Sequence, residues 1–135
     1  MASPNQHLSG GALNAALANE LGKLLADFTG RGATRSRAYV MQDLVVGVFE
    51  DGATRAEQSL VSAGRDDLVR LQRDALQRAV GPQLIEAVER LTQRTVRVFL
   101  SGSDELGGSS VEAFILEPQP TQDGTGTNGR ADAAQ

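Results

Sequence analysis

Two stretches near the end of the chain alternate between apolar and polar positions with a period of two, which is the spacing of a β-strand. They are Thr95–Ser101 and Val111–Glu117, joined by a segment rich in Gly and Ser at 102–110. The pattern predicts a terminal β-hairpin with one aliphatic face and one face that mixes aromatic rings with charge. The residues predicted on the aliphatic face are Val96, Val98, Leu100, Val111, Ala113 and Ile115.

Apolar residues recur at steps of three and four between Gly10 and Phe28, which predicts an amphipathic helix. Gly30-Arg31-Gly32 is predicted to end it, because glycine tolerates the left-handed conformation that closes many helices. The predicted stripe comprises Leu13, Leu17, Leu21, Leu24, Leu25 and Phe28.

A second hairpin is predicted at Thr34–Met41 and Leu44–Glu50, with Gln42 and Asp43 as its turn. We assign Ala38 and Val40 to the aliphatic face of the sheet, together with the even-numbered residues of the second strand. Following the alternation, the opposite face takes Arg35, Arg37, Tyr39, Met41, Val45, Gly47 and Phe49.

The middle of the chain is predicted to be helical. Thr54 and Glu57 have the spacing of a capping box, which starts a short helix ending at Gly64. Asp66 is predicted to cap a longer helix that ends near Gln93 and is kinked or divided at Gly81-Pro82. Its predicted buried stripe begins with Leu68, Leu71, Ala75, Leu76 and Val80.

This order, α-ββ-α-α-ββ, predicts an α+β fold in which helices pack on the aliphatic face of a four-stranded, mainly antiparallel sheet. We expect one domain over residues 10–118, a flexible N-terminal segment at 1–9 and a disordered tail at 119–135. The tail is expected to be disordered because it holds no aliphatic residue larger than alanine.

Charge and composition exclude several functions. A net charge of −4 argues against a general nucleic-acid binder, because such proteins depend on Lys and Arg meeting phosphates. The chain has no cysteine, and its single histidine, His7, lies near the N-terminus, so no Cys- or His-based catalytic site is predicted. No apolar run approaches the length of a membrane span and no secretory signal is evident, so we expect a cytoplasmic protein without membrane insertion.

The mixed sheet face is the strongest candidate surface. Aromatic residues together with Arg are enriched in protein interfaces, which predicts a homodimer or another protein partner at this face. Three alternatives stay open. A helix of the same chain covers the aromatic residues, single aromatic residues are shallowly buried on an otherwise solvated sheet, or the aromatic residues stack on RNA bases. The candidate interface residues are Arg35, Arg37, Tyr39, Phe49, Arg97, Phe99, Phe114 and Leu116.

Weaker candidates favour structural roles. Asp104 and Glu105 offer oxygen ligands for a hard cation, but their spacing does not match an EF-hand loop. The glycines at 30 and 64 are placed to end helices and not to bind phosphate. Glu57 is explained by its capping box, so no catalytic residue, cofactor or metal site is predicted.

Several whole segments resemble the MpsC-type domain family, a group named for a proposed sodium-translocating, membrane-potential-generating system. The resemblance covers about residues 10–117, and the Gly81-Pro82 break departs from it. It implies an accessory domain that acts beside membrane transport machinery, and it brings no catalytic residues. The segments that carry it are Gly30–Gly32, Asp43–Phe49 with Thr54 and Glu57, Ser62–Val69, Arg94–Ser101 and Val111–Glu117.

Together these observations predict a non-enzymatic interaction domain that self-associates or docks on a partner through the Arg/aromatic face. The alternative is a regulatory domain that binds a small ligand in a pocket between sheet and helices.

Overall fold

The structure is a computed structural model that describes residues 8–30, 32–33, 35–104 and 108–119. The predictions for residues 1–7, which include His7, for Arg31, Thr34 and Glu105, and for nearly all of the tail fall outside these residues. The elements are α1 (Gly10–Thr29), β1 (Arg35–Met41), β2 (Leu44–Glu50), α2 (Arg55–Ser62), α3 (Asp66–Thr92), β3 (Val96–Asp104) and β4 (Ser109–Leu116).

The four strands form one antiparallel sheet in the order β1-β2-β4-β3. Each hairpin supplies one central and one edge strand, and the hairpins meet where β2 pairs with β4. The predicted α+β fold, with its α-ββ-α-α-ββ order, is therefore confirmed.

Local signals in the sequence place most element boundaries. Gly30 ends α1 in the left-handed conformation (φ 80°), and its amide donates to Ala26 O at 2.8 Å. Gln42, also at positive φ, forms the β1–β2 turn with Asp43. The capping box at α2 is complete, because Glu57 N donates to Thr54 Oγ1 while Thr54 N donates to the Glu57 carboxylate.

Helix α3 differs from its prediction in two respects. Arg65 occupies the N-cap position, and Asp66 is the first helical residue, so Asp66 does not cap the helix. Leu68 and Leu71 are exposed whereas Val69 is fully buried, so the buried stripe is rotated from the predicted one. The helix meets the core along Val69, Val80, Leu84 and Val88.

A kink or a division of the helix was predicted at Gly81-Pro82. In the structure α3 is one helix that continues through Pro82 to Thr92. Pro82 lies on the exposed side of α3, where water can satisfy the carbonyl left without an amide donor. Gly81 is buried, and a Cβ there would lie 3.2 Å from the ring of Phe99. Glycine thus allows α3 to approach β3 closely.

The helices cover a sheet face that agrees with the prediction in β1 and departs from it in most of the other strands. The core joins Leu13, Leu17 and Leu21 of α1 and Leu84 and Val88 of α3 to the sheet. The sheet residues beneath them are Ala38, Val45, Phe49, Phe114 and Leu116. We call this side the inner face. The prediction that helices pack on the aliphatic face is therefore correct for Ala38 and Val40 of β1 and for Val96, and wrong for β2, β4 and the rest of β3.

Candidate functional site

The eight predicted interface residues do not share one surface. Residues paired directly across two antiparallel strands lie on the same face, and Tyr39 pairs with Val46 while Ala38 pairs with Gly47. The prediction grouped Tyr39 with Phe49, and this grouping is wrong because the two-residue turn pairs odd positions of β1 with even positions of β2. Arg35, Arg37 and Tyr39 therefore lie on one face of the sheet, and the aromatic residues of the other strands lie on the other face.

Three of the predicted residues belong to the core. Phe49 is 3% exposed, and Phe114 and Leu116 are fully buried. Phe99 is half-buried and stacks on Phe114 with ring centroids 5.1 Å apart. Aromatic rings bury a large apolar area, and α1 and α3 have apolar stripes that need such a partner. Helices of the same chain cover these residues, which was one of the open alternatives.

Arg97 occupies an irregular position on β3. The register shifts between Val96, opposite Leu116, and Val98, opposite Ile115. This irregularity turns Val96 toward the core, against which it packs, and leaves Arg97 exposed. Arg97 is therefore at the edge of the sheet and apart from Phe99, with which it was grouped.

The uncovered face of the sheet, which we call the outer face, is mainly aliphatic. At its β1–β2 end Arg37 forms an ion pair with Glu50, and Arg35, opposite Glu50 in the strand pairing, is exposed. The exposed fractions are 58% for Leu100, 52% for Met41, 45% for Val111 and 44% for Tyr39. The remaining apolar side chains of the outer face are Leu44, Val46, Val48, Val98, Ala113 and Ile115, all half-buried.

A cavity of about 60 Å³ lies on the other side of the sheet, between the inner face and the helices. Phe28, Phe49 and Val80 give it apolar walls, and Glu57, Arg73 and Glu112 contribute charged groups.

Glu112 is the unusual residue of this cavity. It is fully buried, and neither carboxyl oxygen has a hydrogen-bond partner among the described residues. Burial raises the pKa of Glu112 from 4.5 to about 7, against a smaller lowering by the nearby Ser101 and Ser110 hydroxyls. Ser101 faces Glu112 across the β3–β4 pair, and its buried hydroxyl also lacks a partner of good geometry within the described chain.

Glu57 and Arg73 form a buried ion pair at the same cavity. Arg73 donates from Nη2 to Glu57 Oε1 at 2.8 Å and from Nε to Oε2 at 3.2 Å. Side-chain exposure is only 11% for Arg73 and 3% for Glu57. The carboxylate that caps α2 therefore also ties α2 to α3.

The sequence contained a signal for the burial of Glu112 but none for the Glu57–Arg73 ion pair. Glu112 shares the alternation phase of Phe114 and Leu116, so its burial was predictable once those residues were placed in the core. No signal indicated the Glu57–Arg73 pair, which depends on how α2 folds back against α3.

The weaker sequence candidates keep their structural roles. Gly64 has positive φ at the end of α2, as expected of a capping glycine, and Asp104 is the last residue of β3. Within the described residues, no group of three or more His, Asp or Glu side chains is arranged to hold a metal ion.

None of the helices formed by the described residues is both long and apolar enough to cross a membrane. No curated protein and no solved structure matches the chain. Residues 9–118 match the family model described as the Na+-translocating membrane potential-generating system (MpsC). This match covers most of the sequence, including all seven structural elements, and the chain therefore belongs to the MpsC family.

Proposed function

We propose that this protein is a non-enzymatic accessory domain that self-associates, with the outer face of the sheet packed against the same face of a second copy. The observation that carries the proposal is the exposure of an aliphatic sheet face on a domain whose helices all pack on the other side. Contiguous apolar patches of this kind mark interaction sites on soluble proteins.

The size of the outer face is sufficient for a modest dimer. Strands lie about 4.8 Å apart and rise about 3.4 Å per residue, so four strands of this length present about 450 Å² in projection. Specific complexes bury about 600–1,000 Å² per partner. Side chains around the edge of the outer face must supply the rest of the buried area. Because the interface is small, we expect the dimer to dissociate on dilution.

The chemistry of the outer face favours a second copy over other occupants. Two sheets can pack face to face about 10 Å apart through aliphatic side chains, and a two-fold axis makes one surface serve both partners. An anionic lipid surface would be attracted by a basic patch, whereas this chain carries a net charge of −4.

Family membership supplies the cellular setting of the proposal. The family description names a sodium-translocating system, which generates a membrane potential. We infer that the domain acts in the cytoplasm as an accessory of such a system, associated with its membrane proteins and not inserted itself. The lack of cysteine and the position of the only histidine support a non-enzymatic role.

The test is the solution mass of the full chain by light scattering after size exclusion, at several concentrations. The monomer mass is 14.2 kDa, and we expect twice that value for the wild type at high concentration. In Leu100→Glu, an unpaired charge would enter the apolar interface, so we expect a folded monomer and at least a hundredfold weaker association. Circular dichroism verifies that the variant is folded.

Leu71→Glu is the matched control, because Leu71 is 66% exposed but lies on α3. It should leave the dimer intact. A monomeric wild type at high concentration, or a dimer disrupted by Leu71→Glu and not by Leu100→Glu, would overturn the proposal.

A further inference from the structure

The buried carboxyl group of Glu112 has no charged partner and no hydrogen bond of good geometry among the described residues. Only the hydroxyls of Ser101 and Ser110 lie near it. Burying a polar group without a good hydrogen bond is costly, and native proteins therefore pair nearly all such groups. Ser110 lines the same cavity as Glu112, so the two carboxylate oxygens and one hydroxyl oxygen there can accept hydrogen bonds.

The other charged groups of the cavity are already satisfied by one another. Glu57 accepts from Arg73 through both carboxylate oxygens and also from the amide of Thr54. Glu112 is therefore the acidic group of the cavity that is left to receive a hydrogen-bond donor from outside the chain.

The cavity has room for such a donor. Its volume of about 60 Å³ exceeds the roughly 10–15 Å³ needed for one water molecule. Three lining residues, Thr29, Ala33 and Gly52, are half-buried, so the cavity approaches the solvent on that side. Leu25, Phe28 and Phe49 line it as well, and they favour a ligand with a short apolar body.

We propose that this cavity binds a small primary ammonium compound, whose N–H groups donate to the Glu112 carboxylate and the Ser110 hydroxyl while its short carbon chain contacts the phenylalanines. An ammonium group has three donors and no acceptor, which matches three oxygen atoms in an apolar pocket. A bare metal ion fits less well, because the described residues offer no cluster of three metal-ligating side chains here. The inference is independent of the proposed dimer, since the cavity lies on the inner face.

The experiment is a titration of the full-length chain with n-propylammonium chloride at pH 8, where Glu112 is ionised in a large fraction of molecules. Binding is measured as saturable chemical-shift changes in amide NMR spectra. The signals of Ser101, Ser110 and Glu112 are followed. Parallel titrations use 1-propanol, which has a neutral head of similar size, and sodium chloride at equal ionic strength.

We expect saturable changes with propylammonium, changes at least tenfold weaker with 1-propanol, and no local changes with sodium chloride. Glu112→Gln preserves the size of the side chain and should weaken propylammonium binding at least tenfold, because the charge attraction is lost. Ser110→Ala removes one acceptor that lines the cavity and should weaken binding about threefold to tenfold, so the test can still be made if Glu112→Gln does not fold.

Three results would overturn the proposal. Equal binding of 1-propanol would show that the cavity recognises only the apolar body. Equal local changes with sodium chloride would indicate a simple cation site. Unchanged affinity in a folded Glu112→Gln, or in Ser110→Ala if that is the variant that folds, would show that the ammonium group binds elsewhere.

Discussion

The buried carboxyl group of Glu112 makes the stability of this protein depend on pH near neutrality. Its pKa in the folded state is about 7, above the ordinary value of 4.5. The folded protein therefore binds this proton more tightly than the unfolded chain does. The stabilisation is complete below about pH 4.5 and is lost as the pH rises through 7.

The size of the effect follows from the difference between the two pKa values. At about 1.4 kcal/mol per pKa unit, the full effect is about 3 kcal/mol. About 2 kcal/mol of it falls between pH 5.5 and pH 8.5, where most other carboxyl groups remain ionised. That loss is a large fraction of the stability of a small domain.

The variant to compare with the wild type is Glu112→Gln, because the glutamine side chain has nearly the same shape as that of glutamate and does not titrate. The assay is urea unfolding of both proteins at half-unit pH steps from 5.5 to 8.5. We expect the free energy of unfolding of the wild type, relative to that of the variant, to fall by about 2 kcal/mol across the range. His7 is present in both proteins, so any contribution from it cancels in the comparison.

The other charged groups of the cavity, Glu57 and Arg73, are present in both proteins and contribute equally to both profiles. Parallel profiles for the wild type and Glu112→Gln would refute the reasoning, because Glu112 would then have similar pKa values in the folded and unfolded states.

Two further predictions concern the rim of the cavity. Arg73→Met should lower the free energy of unfolding by about 3–5 kcal/mol in urea denaturation, because it leaves Glu57 buried without its cation. Arg70→Met, which removes an exposed pair with Asp66, should change it by less than about 0.5 kcal/mol, and equal effects would contradict the importance of burial. Gly108→Ala should lower the thermal midpoint strongly, because Gly108 has φ +77° and a Cβ there would lie 2.2 Å from the amide nitrogen of Ala53. The backbone conformation alone accounts for about 1–3 kcal/mol; Gly102→Ala, with open space around it, is the control, and similar midpoints for both variants would contradict this account.

The accuracy of the sequence predictions depended on the distance over which each signal acts. The capping box at Thr54 and the glycine at the end of α1 were correctly predicted, because their hydrogen bonds lie within four residues. Strand positions were likewise accessible from the period-two alternation. Both kinds of signal are local, and together they were sufficient for the fold class.

The choice of sheet face required information that alternation alone does not contain. Both faces are apolar enough to meet a helix, and packing against α1 and α3 determines which one is buried. The faces of β1 and β2 were misaligned, because each strand was assigned before the pairing of Met41 with Leu44 was considered. The cavity and its Glu57–Arg73 pair depend on α2 folding against α3, which no short sequence pattern records.

The pairing of β2 with β4 has a consequence for how this protein folds. Each hairpin closes locally, but Phe49 and Ser110 pair across everything that α2 and α3 contribute to the chain. Closing such a long loop costs conformational entropy before any contact compensates for it, and non-local pairing slows folding. The hairpins should therefore form early, and their joining at the centre of the sheet should set the rate at which the native state appears.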